Sequence, residues 1–247
     1  MTSAAPLAPT SGSPPRSEDE ARQQVATACR ILARYGQEDL TLGHVSVRGP
    51  GEHEVWIKAK GKALGEVTPE DVMAVRLDED EGHLVPGAHL ETVLHTEAYR
   101  ARPDVGAAIH THPLYATTLG ATSGRLAFLT HDAVLFRDGV GLFDDHVGMI
   151  TSVEDGRKVA SALAEHRGVL LRNHGVLVVG RDIRWAVLAA VTLDRAAHVQ
   201  LLAGAAPLAA IPERQLDDIH RMKYQEPFLE EYWAAWTRQL GAERGGR

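Results

Sequence analysis

LETVLHTEAYRARPDVGAAIHTHP, residues Leu90 to Pro113, carries an acid, Glu91, followed nineteen and twenty-one residues later by His110 and His112. Leu90 to Ala101 has helical character, and Arg102-Pro103-Asp104 ends it because proline disfavours helical backbone at the residue before it. Val105 to His110 is an apolar run of strand length. Side chains two apart on a strand share a face, so His110 and His112 can aim at one metal ion. Two histidines alone do not make a site, since one can pack while the other faces water, and ligation needs further donors. Glu91 offers one donor. His174, in the downstream stretch LLRNHGVLVVG, offers another.

Upstream, Ser17 and Glu20 form a capping box opening a helix to about Tyr35, which Gly36 stops. Cys29 lies on its apolar face and reads as a buried structural thiol rather than a reactive one. His44 to Arg48 and Glu54 to Lys58 alternate as a hairpin around Gly49-Pro50-Gly51. Thr68-Pro69-Glu70 is a capped turn, and Val72 to Leu77 a further strand. Asp78 to Gly82 lacks the spaced ligands of a calcium loop and reads as a solvated turn.

Downstream, Leu114 to Leu119 is a short helix, and Leu126 to Phe136 is strand-like around His131-Asp132. Ser152 and Asp155 open a helix through Leu163. Val169 to Arg172 and Val176 to Val179 are strands, and Gly175 between them marks a bulge or a close backbone approach. Ile183 to Leu202 is a long helix. Pro212 to Leu240 is helical with a break near Pro227. Its aromatics, Tyr224, Phe228, Tyr232, Trp233 and Trp236, have the spacing of packing or subunit contact rather than of a ligand platform.

The bulk numbers narrow the class. The chain has 247 residues, 44% apolar and 24% charged, the balance of an ordinary globular protein. One cysteine rules out an intrachain disulfide and is compatible with the cytoplasm. A net charge of −7 disfavours nucleic acid as a partner. No apolar run reaches membrane-helix length, so no membrane partner is expected. Residues 1–17 are expected to form a disordered tail, 18–240 one domain, and 241–247 a frayed end.

Taken together, Glu91, His110-Thr111-His112, Asn173-His174-Gly175 and Thr41-Leu42-Gly43-His44-Val45-Ser46-Val47-Arg48 resemble the signature of the class II aldolase/adducin family. Tyr99 to Asp104 is also similar to that family. The resemblance implies an α/β (α+β) fold, a three-layer α/β/α sandwich with a mainly antiparallel central sheet. It implies a homotetramer, and a divalent ion on His110, His112 and His174: zinc first, with manganese, cobalt or iron as alternatives. It also implies that Glu91 completes the ligand set and acts as acid/base once substrate displaces it.

The departures bear on substrate. Sugar-phosphate aldolases of the family carry Gly-Asn where this chain has Gly43-His44, Ser-Gly where it has Lys60-Gly61, and two serines where it has His89-Leu90. A tyrosine acid after the H-x-H segment is replaced near His131-Asp132. His44, Lys60 and His89 are therefore the candidate contacts for a small anionic substrate, carboxylate as readily as phosphate. Lys58 to Lys62 can equally be a solvated strand end. Glu91 or His131 is the candidate proton donor. The pattern looks like the 3,4-dihydroxyphthalate decarboxylase-type branch. That favours decarboxylation of a hydroxylated aromatic acid over retro-aldol cleavage, iron-dependent oxygenation or a non-catalytic scaffold.

Overall fold

The computed structural model describes residues 15–79, 84–122, 125–204 and 208–244. Seven strands form one sheet: β1 (His44–Arg48), β2 (Glu54–Lys58), β3 (Val72–Arg76), β4 (Ala107–Thr111), β5 (Gly141–Phe143), β6 (Gly168–Leu171) and β7 (Gly175–Gly180). Their order is β3-β2-β1-β4-β7-β6-β5, antiparallel throughout except for the β5–β6 pair. The helices are α1 (Glu18–Arg34), α2 (Thr92–Ala101), α3 (Leu114–Ala121), α4 (Val153–Leu163), α5 (Ile183–Ala203), α6 (Glu213–Lys223) and α7 (Glu226–Arg244).

Strand alternation sorts the sheet into two cores. Val45, Val47, Ala107, Ile109, Val176 and Val178 pack with α1 and α5. Val55, Ile57, Ala108, Leu177 and Val179 pack with α2 and α4 on the other face. The expected α/β/α sandwich with a mainly antiparallel sheet is what forms. Cys29 is fully buried in the first core, and burial pushes its thiol up to about 12.

Capping explains several boundaries. The Ser17 side chain accepts from the Glu20 N–H at 3.2 Å, but Glu20 turns its own carboxylate to the Arg16 N–H, so only half of the capping box closes. Ser152 accepts from the Asp155 N–H at the start of α4. Arg48 spans the end of α2, donating from Nη2 to the carbonyls of Tyr99 (2.7 Å) and Arg102 (3.2 Å), and from Nε to Val105. These are the orphan acceptors of a helix C-terminus.

Four expectations need correction or fall outside the description. Leu126 to Phe136 forms no strand. It runs alongside α5 and the segment before α6, where Gln200 holds the Ala127 N–H and the Phe128 carbonyl accepts from Ile211, and it closes in a 3₁₀ turn at Ala133–Phe136. The C-terminal helical region breaks at Tyr224–Gln225, not Pro227, which sits in the first turn of α7, where its missing N–H costs nothing. β5 was not foreseen; it is three residues long and starts at Gly141, where a Cβ would lie 2.1 Å from the Ala162 carbonyl. Of the acidic turn, Asp78 and Glu79 pair with Arg76, while 80–82 lie outside the described residues, as do 1–14 and 245–247.

Helix α5 is long and apolar enough to cross a membrane by length and composition, which the count of continuous apolar residues had not flagged. Here it is a core helix, with Ala186, Val187 and Leu193 packed in the first cluster.

Candidate metal centre

The histidines meet at one end of the sheet because of strand register. His44 on β1 pairs directly with His110 on β4, and His110 pairs with Leu177 on β7. His112 follows one residue beyond β4. His174 sits in the tight β6–β7 turn, after Asn173 at φ +55°. Gly175 permits the approach: a Cβ there would lie 2.5 Å from His112 Cδ2 and 2.6 Å from the Thr111 carbonyl. Glu91 caps α2 and reaches across to the same place.

One ligand atom from each of Glu91, His110, His112 and His174 lies within 4.8 Å of all the others. His110 Nε2 is 3.1 Å from His112 Nε2 and 3.6 Å from Glu91 Oε2, and His174 Nε2 is 3.4 Å from that oxygen. Donors about 2.0–2.1 Å from a tetrahedral zinc ion stand about 3.3 Å apart, so the spacing fits.

The outward hydrogen bonds fit as well. His110 Nδ1 meets the Val176 carbonyl at 2.9 Å, and His112 Nδ1 meets Asp39 Oδ2 at 2.9 Å. Both are acceptors, so the protons lie on Nδ1 and two bare Nε2 lone pairs face each other. That pair is repulsive without a cation between them. The donor set therefore suits a divalent ion.

Burial opposes ionisation of Glu91, but the imidazoles of His110 and His174 beside it outweigh burial and hold the carboxyl well below its usual range. Its second oxygen, Oε1, accepts from the Ile150 main-chain N–H at 2.8 Å. Burial lowers His110, keeping the imidazole neutral as a ligand must be.

Between His110 and His112, Thr111 donates to Gln37 Oε1 at 2.9 Å, and Gln37 Nε2 donates to the Ala190 carbonyl at 2.8 Å. The H-x-H segment is thereby tied to α5. Each such buried bond contributes about 1 kcal/mol.

Behind the ligands lies a buried polar chain. His44 lies against both His89 and His110 in tilted ring contacts, with centroids 4.6 and 4.9 Å away. Its Nδ1 meets His95 Nε2 at 2.7 Å, His95 Nδ1 meets Ser46 Oγ at 2.6 Å, and that hydroxyl meets Tyr99 OH at 2.9 Å. Burial holds both His44 and His95 well below the ordinary imidazole range, so the chain is neutral. It ends inside the protein at Tyr99, which is buried, and that burial raises its phenol.

The sequence-derived candidates thus divide. Glu91, His110, His112 and His174 come together, with His44 and His89 beside them. Lys60 is exposed. The lysine that turns inward is Lys58, fully buried, with Nζ 3.0 Å from His89 Nε2. Lys58 therefore is not a solvated strand end. His131 is exposed and lines a different cavity, about 580 Å³, with Asp132, Arg195 and His198. His95 went unnoticed in the sequence, and Ser46 and Tyr99 entered only as members of family-like motifs, not as site residues. The signal was present: Ser46 shares strand parity with His44, and Glu91, His95 and Tyr99 follow one another at intervals of four on one helix face.

Three imidazoles and one carboxylate converging on a sheet end, in an α/β sandwich, define a class II aldolase-type centre. Residues 23–201 match the model of the class II aldolase and adducin N-terminal domain, and the chain belongs to that family. It is 36% identical over 187 residues to a 4-hydroxy-3-prenylphenylpyruvate oxygenase/4-hydroxy-3-prenylbenzoate synthase of Streptomyces roseochromogenus, covering 73% of this chain and 67% of that one. It is 31% identical over 214 residues to the 3,4-dihydroxyphthalate decarboxylase of Arthrobacter keyseri, covering 81% and 86%. L-fuculose 1-phosphate aldolase from Glaciozyma antarctica superposes with a TM-score of 0.79 at 27% identity, covering 96% of each chain. The family is one of enzymes, with decarboxylases and aldolases among this chain's homologues.

Proposed function

We propose that the protein is a divalent-metal-dependent carboxy-lyase acting on a hydroxylated aromatic carboxylic acid of the 3,4-dihydroxyphthalate kind, in the breakdown of aromatic compounds. The observation that carries this reading is the run of ring contacts from His89 through His44 to His110, with Lys58 against His89. Imidazoles and an ammonium occupy the region where the small hydroxyls and amides of a sugar-phosphate aldolase are expected. The similarity to a 3,4-dihydroxyphthalate decarboxylase supports the same choice.

A divalent ion on His110, His112 and His174 would supply Lewis acidity for the negative charge left when carbon dioxide departs. The residues of the chain do the rest. The neutral imidazoles leave the ion's charge undiminished for the substrate's oxygens. Glu91, displaced from the histidines by substrate, takes a hydroxyl proton from it. As the bond to the carboxylate breaks, the electron pair stays on the ring carbon and Glu91 returns the proton there. The Ile150 N–H steadies the carboxylate through both transfers. His131 stands in another cavity, which favours Glu91 as the donor. Zinc in a cytoplasmic homotetramer is the setting this reading expects.

The test is carbon dioxide release from a panel of dihydroxylated aromatic acids by metal-loaded protein. Release that requires Glu91 supports the reading. No release, with aldehyde formed instead from hydroxy-ketones, replaces it with retro-aldol chemistry, the reading that the likeness to L-fuculose 1-phosphate aldolase favours. Iron-dependent oxygen consumption would replace it with oxygenation, in keeping with the prenylphenylpyruvate oxygenase relative.

A further inference from the structure

A cluster of cations lies at the end of the sheet remote from the metal centre. Arg167 comes just before β6 and His174 just after it, so the two stand at opposite ends of that strand. Arg167 Cζ sits 5.4 Å from the centroid of the Trp185 ring, which also carries Arg181 at 4.9 Å. Glu226, the acid beside this ring, is taken by Arg181, Arg184 and Trp185 Nε1. Among the described residues Arg167 makes no ion pair and no side-chain hydrogen bond. A buried charge left without a counter-charge is costly.

Arg137 is the charge that bears most on Arg167. Its Nε reaches Asp217 Oδ1 on α6 at 2.9 Å, and its Nη1 stands 3.8 Å from Asp138 Oδ2. His220 follows Asp217 by three residues, on the same face of α6. Asp138 and Asp217 do not balance the cluster. Burial, then Arg137, lowers the Arg167 guanidinium to about 10 against the pull of Asp138. Burial, then Arg137 and Arg167, lowers His220 to about 4 against the pull of Asp217. Two separate groups thus feel a net positive field.

The same three residues hold buried nitrogens with no hydrogen-bond partner among the described residues: Arg137 Nη1, Arg167 Nε and His220 Nε2. Folded proteins pair about 90% or more of such atoms, so three in one cluster point to an acceptor from outside the chain. Each residue keeps part of its surface open to solvent, which gives an ion a way in. Guanidinium forks and a neutral imidazole N–H suit a phosphate group, and donors cut off from water hold an anion more strongly than exposed ones. The family match ends at residue 201, whereas His220 lies on α6. The cluster therefore joins the family domain to a helix beyond it.

We propose that Arg137, Arg167 and His220 form a second anion site, separate from the metal centre, that takes a phosphate group and ties α6 to the start of β6. This does not rest on the reaction proposed above.

The experiment is calorimetric titration of inorganic phosphate into the full-length, zinc-loaded protein and into its His110→Ala variant. Phosphate held by the metal ion is lost in His110→Ala, whereas phosphate held by the cluster stays. The expected Kd in His110→Ala is about 1 mM or tighter. Phosphate at about 10 mM should raise its melting temperature by about 3 °C or more, and sodium chloride of equal ionic strength should not. Adding Arg167→Met should weaken phosphate binding about 10-fold or more and remove the rise, a response to ligand that a merely structural arginine would not control. If that variant does not fold, Arg137→Gln decides by the same two readings. The proposal is overturned if phosphate does not bind His110→Ala, if its binding survives the arginine substitution, or if sodium chloride raises the melting temperature as much.

Discussion

His44 and His110 lie directly opposite each other on antiparallel strands, their ring centroids 4.9 Å apart. The pairing couples a candidate metal ligand to a residue outside the candidate ligand set. His44→Asn, which installs the sugar-phosphate aldolase residue, would keep the metal but leave His95 without its 2.7 Å partner. The expected outcome is near-stoichiometric zinc by elemental analysis and a loss of turnover of about 10-fold or more, the scale of one misplaced contact.

His112 depends on Asp39 for its tautomer. Asp39→Asn removes the carboxylate that fixes the Nδ1 proton, and such outer partners typically contribute about 10–100-fold in metal affinity. Competition with a chelator should show a loss in that range, whereas His110→Ala should abolish zinc binding outright.

Glu91 can be separated from the histidines. Glu91→Gln keeps the shape and the oxygen facing Ile150 but carries no proton between substrate atoms. Turnover should fall by about 100-fold or more while three-histidine zinc binding survives. Loss of zinc together with turnover would assign Glu91 to ligation alone.

Gly175→Ala would drive a Cβ to 2.5 Å from His112 Cδ2 and 2.6 Å from the Thr111 carbonyl. The carbonyl is main chain and cannot yield cheaply. The expected result is a lower melting temperature and weaker zinc binding together. A variant with native zinc affinity would show that the β6–β7 turn relaxes.

Stability should fall on the acid side. Burial holds His95 well below the ordinary range, and burial lowers His220 to about 4. The unfolded chain takes up these protons near pH 6.5, before the folded one does. Their contribution is thus present above pH 6.5 and is lost as pH falls towards 4 and below. Melting temperature against pH should slope down across that window, and His220→Gln should flatten part of the slope.

The convergence of Glu91, His110, His112 and His174 was legible in the sequence because ligand chemistry restricts residue type, and strand periodicity puts His110 and His112 together. The hairpin, α1 and α4 were legible for similar local reasons: turn glycines and capping serines act within a few residues. What escaped depends on tertiary contact. Lys58 and Lys60 are alike in the string, and only the path of the chain after β2 buries one and exposes the other. β5 has three residues and exists because Gly141 lets it lie against α4. Leu126 to Phe136 has strand composition, but its backbone partners come from Gln200 and Ile211 rather than from a sheet edge.

The bond from Ile150 to Glu91 is made by the main chain. Any residue but proline supplies that N–H, but the Ile150 side chain is itself buried in the second core, so an apolar residue of similar size is needed there to keep the peptide group against Glu91. An insertion or deletion between β5 and α4 is different, because it moves the peptide group itself. The connection between β5 and α4 is thus tied to the acid twice, by its length and by the one side chain that anchors it in the core.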